Sequence, residues 1–164
     1  MDNTSSDTGD IKAADAPRKS GRRLAREFAV QGIYQWLLSG NDLPAIDAHL
    51  SEDDGFTKVD RKLFRALLNG AHDKADALRV QFGSHLDRPV GELSPVEHAI
   101  LLVATFELAH QIDTPYRVVI NEAIELAKDF GGSDGHKFIN GVLDKLAPQL
   151  RAVEVEAARN RPRR

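Results

Sequence analysis

The chain has 164 residues, with 22 lysines and arginines against 25 aspartates and glutamates, which gives a formal net charge of −3. This is the length of a single domain, and the charge balance excludes a protein that coats nucleic acid with its whole surface. There is no cysteine, so disulfide frameworks, thiolate zinc sites and cysteine nucleophiles are excluded.

The N-terminal residues are polar, and residues 1–17 are expected to form a disordered leader. They lack the basic and then apolar order of a signal sequence, and the longest nearly apolar run, residues 99–106, is too short to span a membrane. We therefore expect a cytoplasmic protein without membrane contact. Between residues 18 and 26 lies a basic arm, without any acid, that continues into the first helix. Its five cations are Arg18, Lys19, Arg22, Arg23 and Arg26.

Apolar residues that recur every three or four positions predict helices along most of the chain. The first is expected over residues 21–39, and a short helix over residues 44–50 follows it. Thr57 can cap a third helix, the longest, in which an apolar stripe continues without interruption to Phe82.

Proline and glycine interrupt the helical pattern after residue 83 and are expected to separate two subdomains, about residues 21–83 and 84–150. The next helix begins at Ser94-Pro95-Val96-Glu97, which combines an N-cap, a proline at the first helical position and a capping-box glutamate. Glu107 is the only charge in its apolar stretch, so this helix is expected to be central.

Residues 120–148, INEAIELAKDFGGSDGHKFINGVLDKLAP, predict two amphipathic helices joined by a glycine-rich elbow. Phe130 belongs to the apolar stripe of the first helix. Phe138 projects about 90° away from the stripe of the second helix, with Gly141 and Lys145 on its side. The predicted fold is all-α with about seven helices, followed by a frayed basic tail over residues 151–164.

No pattern in the chain indicates catalysis. The six histidines lack metal-ligand spacing, and the glycine-rich elbow lacks the spacing of a phosphate-binding loop. Glu122 and Glu125 are a pair of carboxylates without any sign of the burial that would raise a pKa. We therefore expect no enzyme, no metal and no cofactor.

The basic arm and two aromatic rings favour nucleic-acid binding. Tyr34 points about 160° away from Trp36 and shares its side of the helix with Arg23. Cations alone bind any polyanion. The logarithm of the affinity then falls with the logarithm of the salt concentration, and this salt slope is about 0.7 per phosphate contacted, or about 3.5 for all five cations. Stacking of a base on Tyr34 or Phe138 adds ~1 to 3 kcal/mol and favours unpaired strands. The alternative is that the arm has no ligand and each ring packs on a neighbouring helix.

Residues 22–36, RRLAREFAVQGIYQW, together with the hairpin of residues 120–148, closely resemble the NusB family of bacterial transcription antitermination factors. The resemblance implies two small helical bundles without catalytic activity. It also implies binding of boxA-type single-stranded RNA together with the ribosomal protein NusE. The pair then docks on the RNA polymerase elongation complex with other Nus factors and supports ribosomal RNA transcription.

The resemblance also implies roles for particular residues. The arginines would contact phosphates, the two rings would form part of the nucleic-acid surface, and Asp134 would tune RNA affinity. Glu97 would face NusE, and Tyr34 would contribute there too. This chain has Leu24 where the family has the third arginine of a triplet, so one phosphate contact is not carried over. The implied RNA-binding residues are Arg22, Arg23, Arg26, Tyr34, Asp134 and Phe138.

Two other functions remain open from the sequence. One is a helical protein–protein adaptor or homodimer that does not bind RNA. The other is a stand-alone relative of the NusB-like domain of ribosomal RNA methyltransferases, although no catalytic domain follows Pro148. The oligomeric state and the preferred RNA sequence are not predicted.

Overall fold

The computed structural model describes residues 19–130 and 134–161. In these ranges the chain forms eight α-helices, two short 3-10 helices and no strand, which confirms the all-α prediction. None of these helices is both long enough and apolar enough to cross a bilayer. The predicted leader, Arg18, the elbow residues Gly131, Gly132 and Ser133, and the last three residues lie outside the described residues.

The helices follow one another through the whole described chain. The 3-10 helices are Asp54–Lys58 and Val90–Glu92. The α-helices are α1 Gly21–Ser39, α2 Leu43–Ser51, α3 Arg61–Asp73, α4 Ala75–Gly83, α5 Pro95–His110, α6 Tyr116–Phe130, α7 Gly135–Leu150 and α8 Ala152–Arg159.

α1 has the predicted bounds because both of its ends are capped. The Ser20 hydroxyl accepts a hydrogen bond from the backbone N–H of Arg23 at 3.0 Å. At the other end Gly40 adopts a left-handed conformation, with φ 68°, and its N–H donates to the Trp36 carbonyl at 2.8 Å. α1 packs against both α3 and α5. It therefore joins the two halves of the chain, and the buried apolar residues form one continuous cluster.

The prediction of one long helix from Thr57 to Phe82 is wrong in two respects. Thr57 lies in the first 3-10 helix, and the cap is Asp60, whose carboxylate accepts from the N–H of Leu63 at 3.0 Å. The chain then breaks at Lys74, with φ −106° and ψ 16°, so α3 and α4 are separate helices. The apolar stripe stays buried on both sides of the break, which is why periodicity alone did not reveal it.

α5 is the central helix, as predicted, and every residue from Ala99 to Leu108 is buried. Its capping box forms between Ser94 and Glu97. α3 approaches α5 closely at Gly70, where an added Cβ would lie 2.1 Å from the Phe106 ring. This glycine therefore sets the distance between the two helices.

The prediction of a frayed tail after residue 150 is wrong for the described residues, because α8 docks on the ends of two other helices. Arg151 is 5% exposed, and its guanidinium forms an ion pair with the Glu154 carboxylate at 2.6 Å. Glu154 accepts a hydrogen bond from the backbone N–H of Tyr116 at 2.7 Å, at the start of α6. The guanidinium of Arg151 donates to the backbone carbonyls of Glu107, Leu108 and Gln111.

At the end of α5, Arg151 therefore supplies a donor to the Leu108 carbonyl and a second donor to the Glu107 and Gln111 carbonyls, which also accept from the backbone N–H groups of Gln111 and Thr114. Glu154 satisfies an N–H at the start of α6. The turn over residues 111–115 lies between these two ends. The sequence pattern could not reveal this, because a run of arginines after the last apolar stripe is also typical of a solvated tail.

We predict that Gly70→Ala lowers the free energy of unfolding by about 1 to 3 kcal/mol, because the methyl group would overlap the Phe106 ring. Gly141→Ala is the matched control, since an added Cβ there meets nothing within 4 Å. Alanine should stabilise α7 by about 0.5 to 1 kcal/mol. Urea denaturation followed by circular dichroism measures both. Equal stability of the two variants would contradict the close approach of α3 to α5.

We predict that Arg151→Ala lowers the free energy of unfolding by about 1 to 3 kcal/mol, because buried carbonyls lose their charged donor. The control is Arg159→Ala, an exposed change at the end of α8, the helix that Arg151 precedes, and it should stay within about 0.5 kcal/mol of the wild type. Thermal unfolding compares the two variants. If α8 were frayed in solution, both would melt like the wild type.

Candidate nucleic-acid interface

A groove runs between α1 and α6, with α5 as its floor. At one end Arg23 of α1 donates to both carboxylate oxygens of Glu122 on α6, at 3.0 and 2.6 Å. At the other end Tyr34 of α1 and Phe130 of α6 line the same depression. The two helices therefore run in the same direction along the groove. The stretch of α1 from Arg23 to Tyr34 rises by about 16 Å.

The first end of the groove is a cavity of about 690 Å³, which we call the basic cleft. Arg22 lies at its rim with its side chain 50% exposed, and its guanidinium donates to the Thr114 hydroxyl at 3.0 Å. Lys19 is 45% exposed and pairs with Glu27. The cleft is lined by Lys19, Ser20, Arg22, Arg23, Arg26, Asp113, Thr114, Pro115, Val118 and Glu122.

The Arg23 side chain is bound to Glu122 but is still partly exposed to solvent. Its two hydrogen bonds to Glu122 raise the pKa of its guanidinium, while 41% of its side chain stays exposed. An exposed guanidinium held by a carboxylate can still contact a phosphate, because it has five N–H donors in a planar arrangement. Arg22 and Arg23 thus lie where a backbone phosphate in the basic cleft would meet them.

Arg26 does not fit the implied role in phosphate binding, and this expectation is corrected. Its side chain is 6% exposed, and the side chain of Glu107 is 2% exposed. The two form a bidentate ion pair, in which the shortest distance, from Arg26 Nη2 to Glu107 Oε2, is 2.7 Å. Another terminal nitrogen lies 3.6 Å from Glu122. Removing Arg26 from Glu107 would leave a carboxylate buried without its partner, which is costly. The sequence contained one signal for this pair: a lone charge in an apolar helix needs an opposite charge nearby.

The other end of the groove is a depression of about 380 Å³, which we call the aromatic groove. Tyr34 is half-buried there, on the side of α1 that the sequence predicted to face outward. Phe130 was predicted to lie in the core, but it is 39% exposed because it is the last residue of α6. The aromatic groove is lined by Val30, Gln31, Tyr34, Gln35, Val96 and Phe130.

Glu97 and Asp134 lie near the first turns of α5 and α7. The Glu97 carboxylate lies 3.9 Å from the position that a Cβ on Gly135 would take, so the two helix starts are neighbours. Asp134 is exposed, with its carboxylate 3.8 Å from the Lys137 ammonium. Because Val96 lines the aromatic groove, Glu97 lies between that groove and α7.

Phe138 lies one turn into α7 and is half-buried. The Arg88 guanidinium lies over its ring, with the guanidinium carbon 4.6 Å from the ring centroid. Tyr34 and Val96 line the same groove, and the neighbouring Glu97 adjoins the start of α7, the helix that carries Phe138. Sequence reasoning missed Arg88 here and Thr114 at the basic cleft as site residues, because Arg88 lies in a loop outside the charge cluster and Thr114 was predicted only to open a helix.

The described ranges contain no group of three or more histidines, aspartates and glutamates that could hold a metal ion. Around the cleft, carboxylates are instead paired with arginines, as Glu107 and Glu122 illustrate. The arrangement can attract an anionic chain at one end and accept planar groups at the other.

Three comparisons relate the chain to known proteins. A model described as the NusB family matches residues 23–148. The transcription antitermination protein NusB of Aromatoleum aromaticum is 61% identical over 142 residues, which cover 87% of this chain and 98% of that protein.

Solved structures share the fold. T. maritima NusB superposes with a TM-score of 0.73 at 28% identity, covering 85% of this chain and 99% of that one. A crystal structure of the antitermination factors NusB and NusE in complex with dsRNA gives a TM-score of 0.69 at 21% identity, covering 79% and 97%. The chain belongs to the NusB family.

Proposed function

We propose that this chain is a transcription antitermination factor that binds boxA-type single-stranded RNA together with the ribosomal protein NusE. It recruits both to the RNA polymerase elongation complex with other Nus factors and supports ribosomal RNA transcription in the cytoplasm. It acts by binding, without catalysis. The observation that carries the proposal is the groove between α1 and α6, which is cationic at one end and aromatic at the other.

The RNA contact combines charge and stacking. Lys19, Arg22 and Arg23 contact phosphates in the basic cleft, and the expected salt slope for three phosphates is about 2. Tyr34 and Phe138 offer rings to unpaired bases, and single strands are favoured because their bases are free to stack. Asp134, which is exposed at the start of α7, tunes affinity by repelling a nearby phosphate.

The protein contact uses the region around the aromatic groove. Glu97 and Tyr34 face NusE, and the partly exposed Phe130 ring adds apolar area next to them. One of the similar structures holds NusB and NusE with RNA, which supports a three-component assembly. Two weak contacts on one surface reinforce each other, because each raises the local concentration of the other partner.

The test is a fluorescence-anisotropy titration of a labelled boxA-type RNA, with a scrambled strand and a boxA duplex as controls, each with and without NusE. We expect the single strand to bind more tightly than both controls, and NusE to increase the difference. Equal affinity for all three RNAs in the presence of NusE would reject the proposal. Binding of NusE alone would favour the protein–protein adaptor. Specific RNA binding that NusE does not change would favour the methyltransferase-domain relative.

We predict opposite effects for two arginines of α1. Arg22→Ala should reduce the salt slope by about 0.7, and the free energy of unfolding should change by less than about 0.5 kcal/mol. Arg26→Ala should leave the slope unchanged and lower the free energy of unfolding by about 3 to 5 kcal/mol, because Glu107 stays buried without a partner. Anisotropy at several salt concentrations and urea denaturation measure these effects. A stable Arg26 variant with a reduced slope would show that Arg26 contacts RNA.

A further inference from the structure

Arg88 is an exposed residue that the packing of the hydrophobic core does not require. It belongs to the loop between α4 and the second 3-10 helix, and its guanidinium carbon is 4.6 Å from the centroid of the Phe138 ring. Its Nε donates to the carboxylate of Asp87 at 2.9 Å. Pro89 follows directly, and a residue before proline is restricted to extended backbone. The Asp87 hydrogen bond favours this position of the guanidinium over the ring, while the Arg88 side chain is exposed and can still move.

Phe138 also lies outside the core stripe of α7. The buried residues of this helix are Ile139, Val142, Leu143, Leu146 and Ala147. Gly141, one turn further on, is exposed, and a Cβ there would meet nothing within 4 Å. The hydrogen bond from Arg88 lowers the pKa of the Asp87 carboxylate, and the charge of Lys145 contributes to the same shift. Lys145, seven residues after Phe138, shares its side of α7.

The charges around Arg88 favour a neutral ligand over a phosphate. Asp87, Glu97 and Glu92 all lie close enough to raise the pKa of the Arg88 guanidinium, Asp87 most strongly through its hydrogen bond. Three carboxylates near one cation weaken its attraction for an anion. A nucleobase carries no such charge, and unpaired bases stack on both aromatic rings and guanidinium planes.

We propose that Arg88 and Phe138 form a clip that holds one unpaired base of the bound RNA, with the ring on one face and the guanidinium on the other. The inference rests on the proposed RNA binding and adds a base-contacting residue to it. Two stacking intervals of ~3.4 Å require about 7 Å between ring and guanidinium. Arg88 therefore rotates outward when the base enters, as an exposed side chain can do rapidly.

The position of the clip limits the path that the RNA can follow on the protein. The start of α7 adjoins Glu97, and Val96 lines the aromatic groove, so the clip lies beyond that groove. The basic cleft lies at the opposite end of α1. Phosphates bound near Arg22 and the clipped base would therefore belong to different parts of the same strand.

The test measures the coupling between one protein side chain and one base. Anisotropy titrations are carried out with NusE present. They use the boxA-type RNA and a series of variants of it, each of which lacks the base at one position. We expect Phe138→Ala to weaken binding about 5-fold or more, and Arg88→Ala about 2- to 5-fold. One abasic position should weaken binding most for the wild type, less for Arg88→Ala, which keeps the Phe138 ring, and not at all for Phe138→Ala. The double variant should bind like Phe138→Ala alone, because both residues act on the same base.

Two further variants separate stacking from charge. Arg88→Lys keeps the positive charge but lacks the planar guanidinium group, so it should behave like Arg88→Ala. Arg65→Ala is the matched control, since Arg65 is exposed and pairs with Asp47 at 3.2 Å on a different part of the surface. It should bind like the wild type.

Three results would overturn the clip. In the first, Arg88→Lys binds like the wild type and Arg88→Ala weakens every abasic RNA equally, which would mean that Arg88 acts only by its charge. In the second, Arg88→Ala binds more tightly, which would mean that Arg88 shields Phe138. In the third, the wild type binds boxA-type RNA specifically, but no abasic position changes the effect of the Arg88 or Phe138 substitution. That result would reject the clip and leave the proposed function standing. If the wild type does not prefer boxA RNA at all, the proposed function fails and the clip fails with it.

Discussion

The buried ion pair between Arg26 and Glu107 is the constraint on which the groove depends. Arg26 comes from α1 and Glu107 from α5, and Glu122 of α6 lies 3.6 Å from the same guanidinium. The three helices that form the groove therefore each contribute one charge to a single cluster. Because an unpaired buried charge is costly, α1 and α6 cannot slide along α5 without breaking it.

This cluster also determines which arginines are available to a ligand. Arg26 is fully engaged inside, whereas Arg23 lies one turn earlier and pairs with Glu122 from the rim. Arg22 reaches Thr114 and remains half exposed. The basic arm is therefore not a uniform patch of charge. It is a graded series in which the innermost cation stabilises the fold and the outer ones face the solvent.

Much of this fold could be predicted from the sequence because its signals are local. The bounds of α1 and the capping box of α5 follow from residues within one turn of each helix end. The outward side of Tyr34 follows from helical geometry alone. What could not be predicted depends on distant partners. The partner of Arg26 is 81 residues away, and Arg151 bonds carbonyls 40 to 44 residues away. A lone charge in an apolar helix indicates that a partner exists, but the charge pattern does not identify which distant residue it is.

The docking of α8 has a consequence for how the protein is made. The turn over residues 111–115 borders the basic cleft through Thr114 and Pro115, and Arg151 and Glu154 hold it at both ends. During synthesis those two side chains emerge from the ribosome long after α1 and α5. A nascent chain can thus pack α1 against α3 and α5 before the wall of its cleft is secured, so competence to bind a ligand there arises only after the last helices have been made.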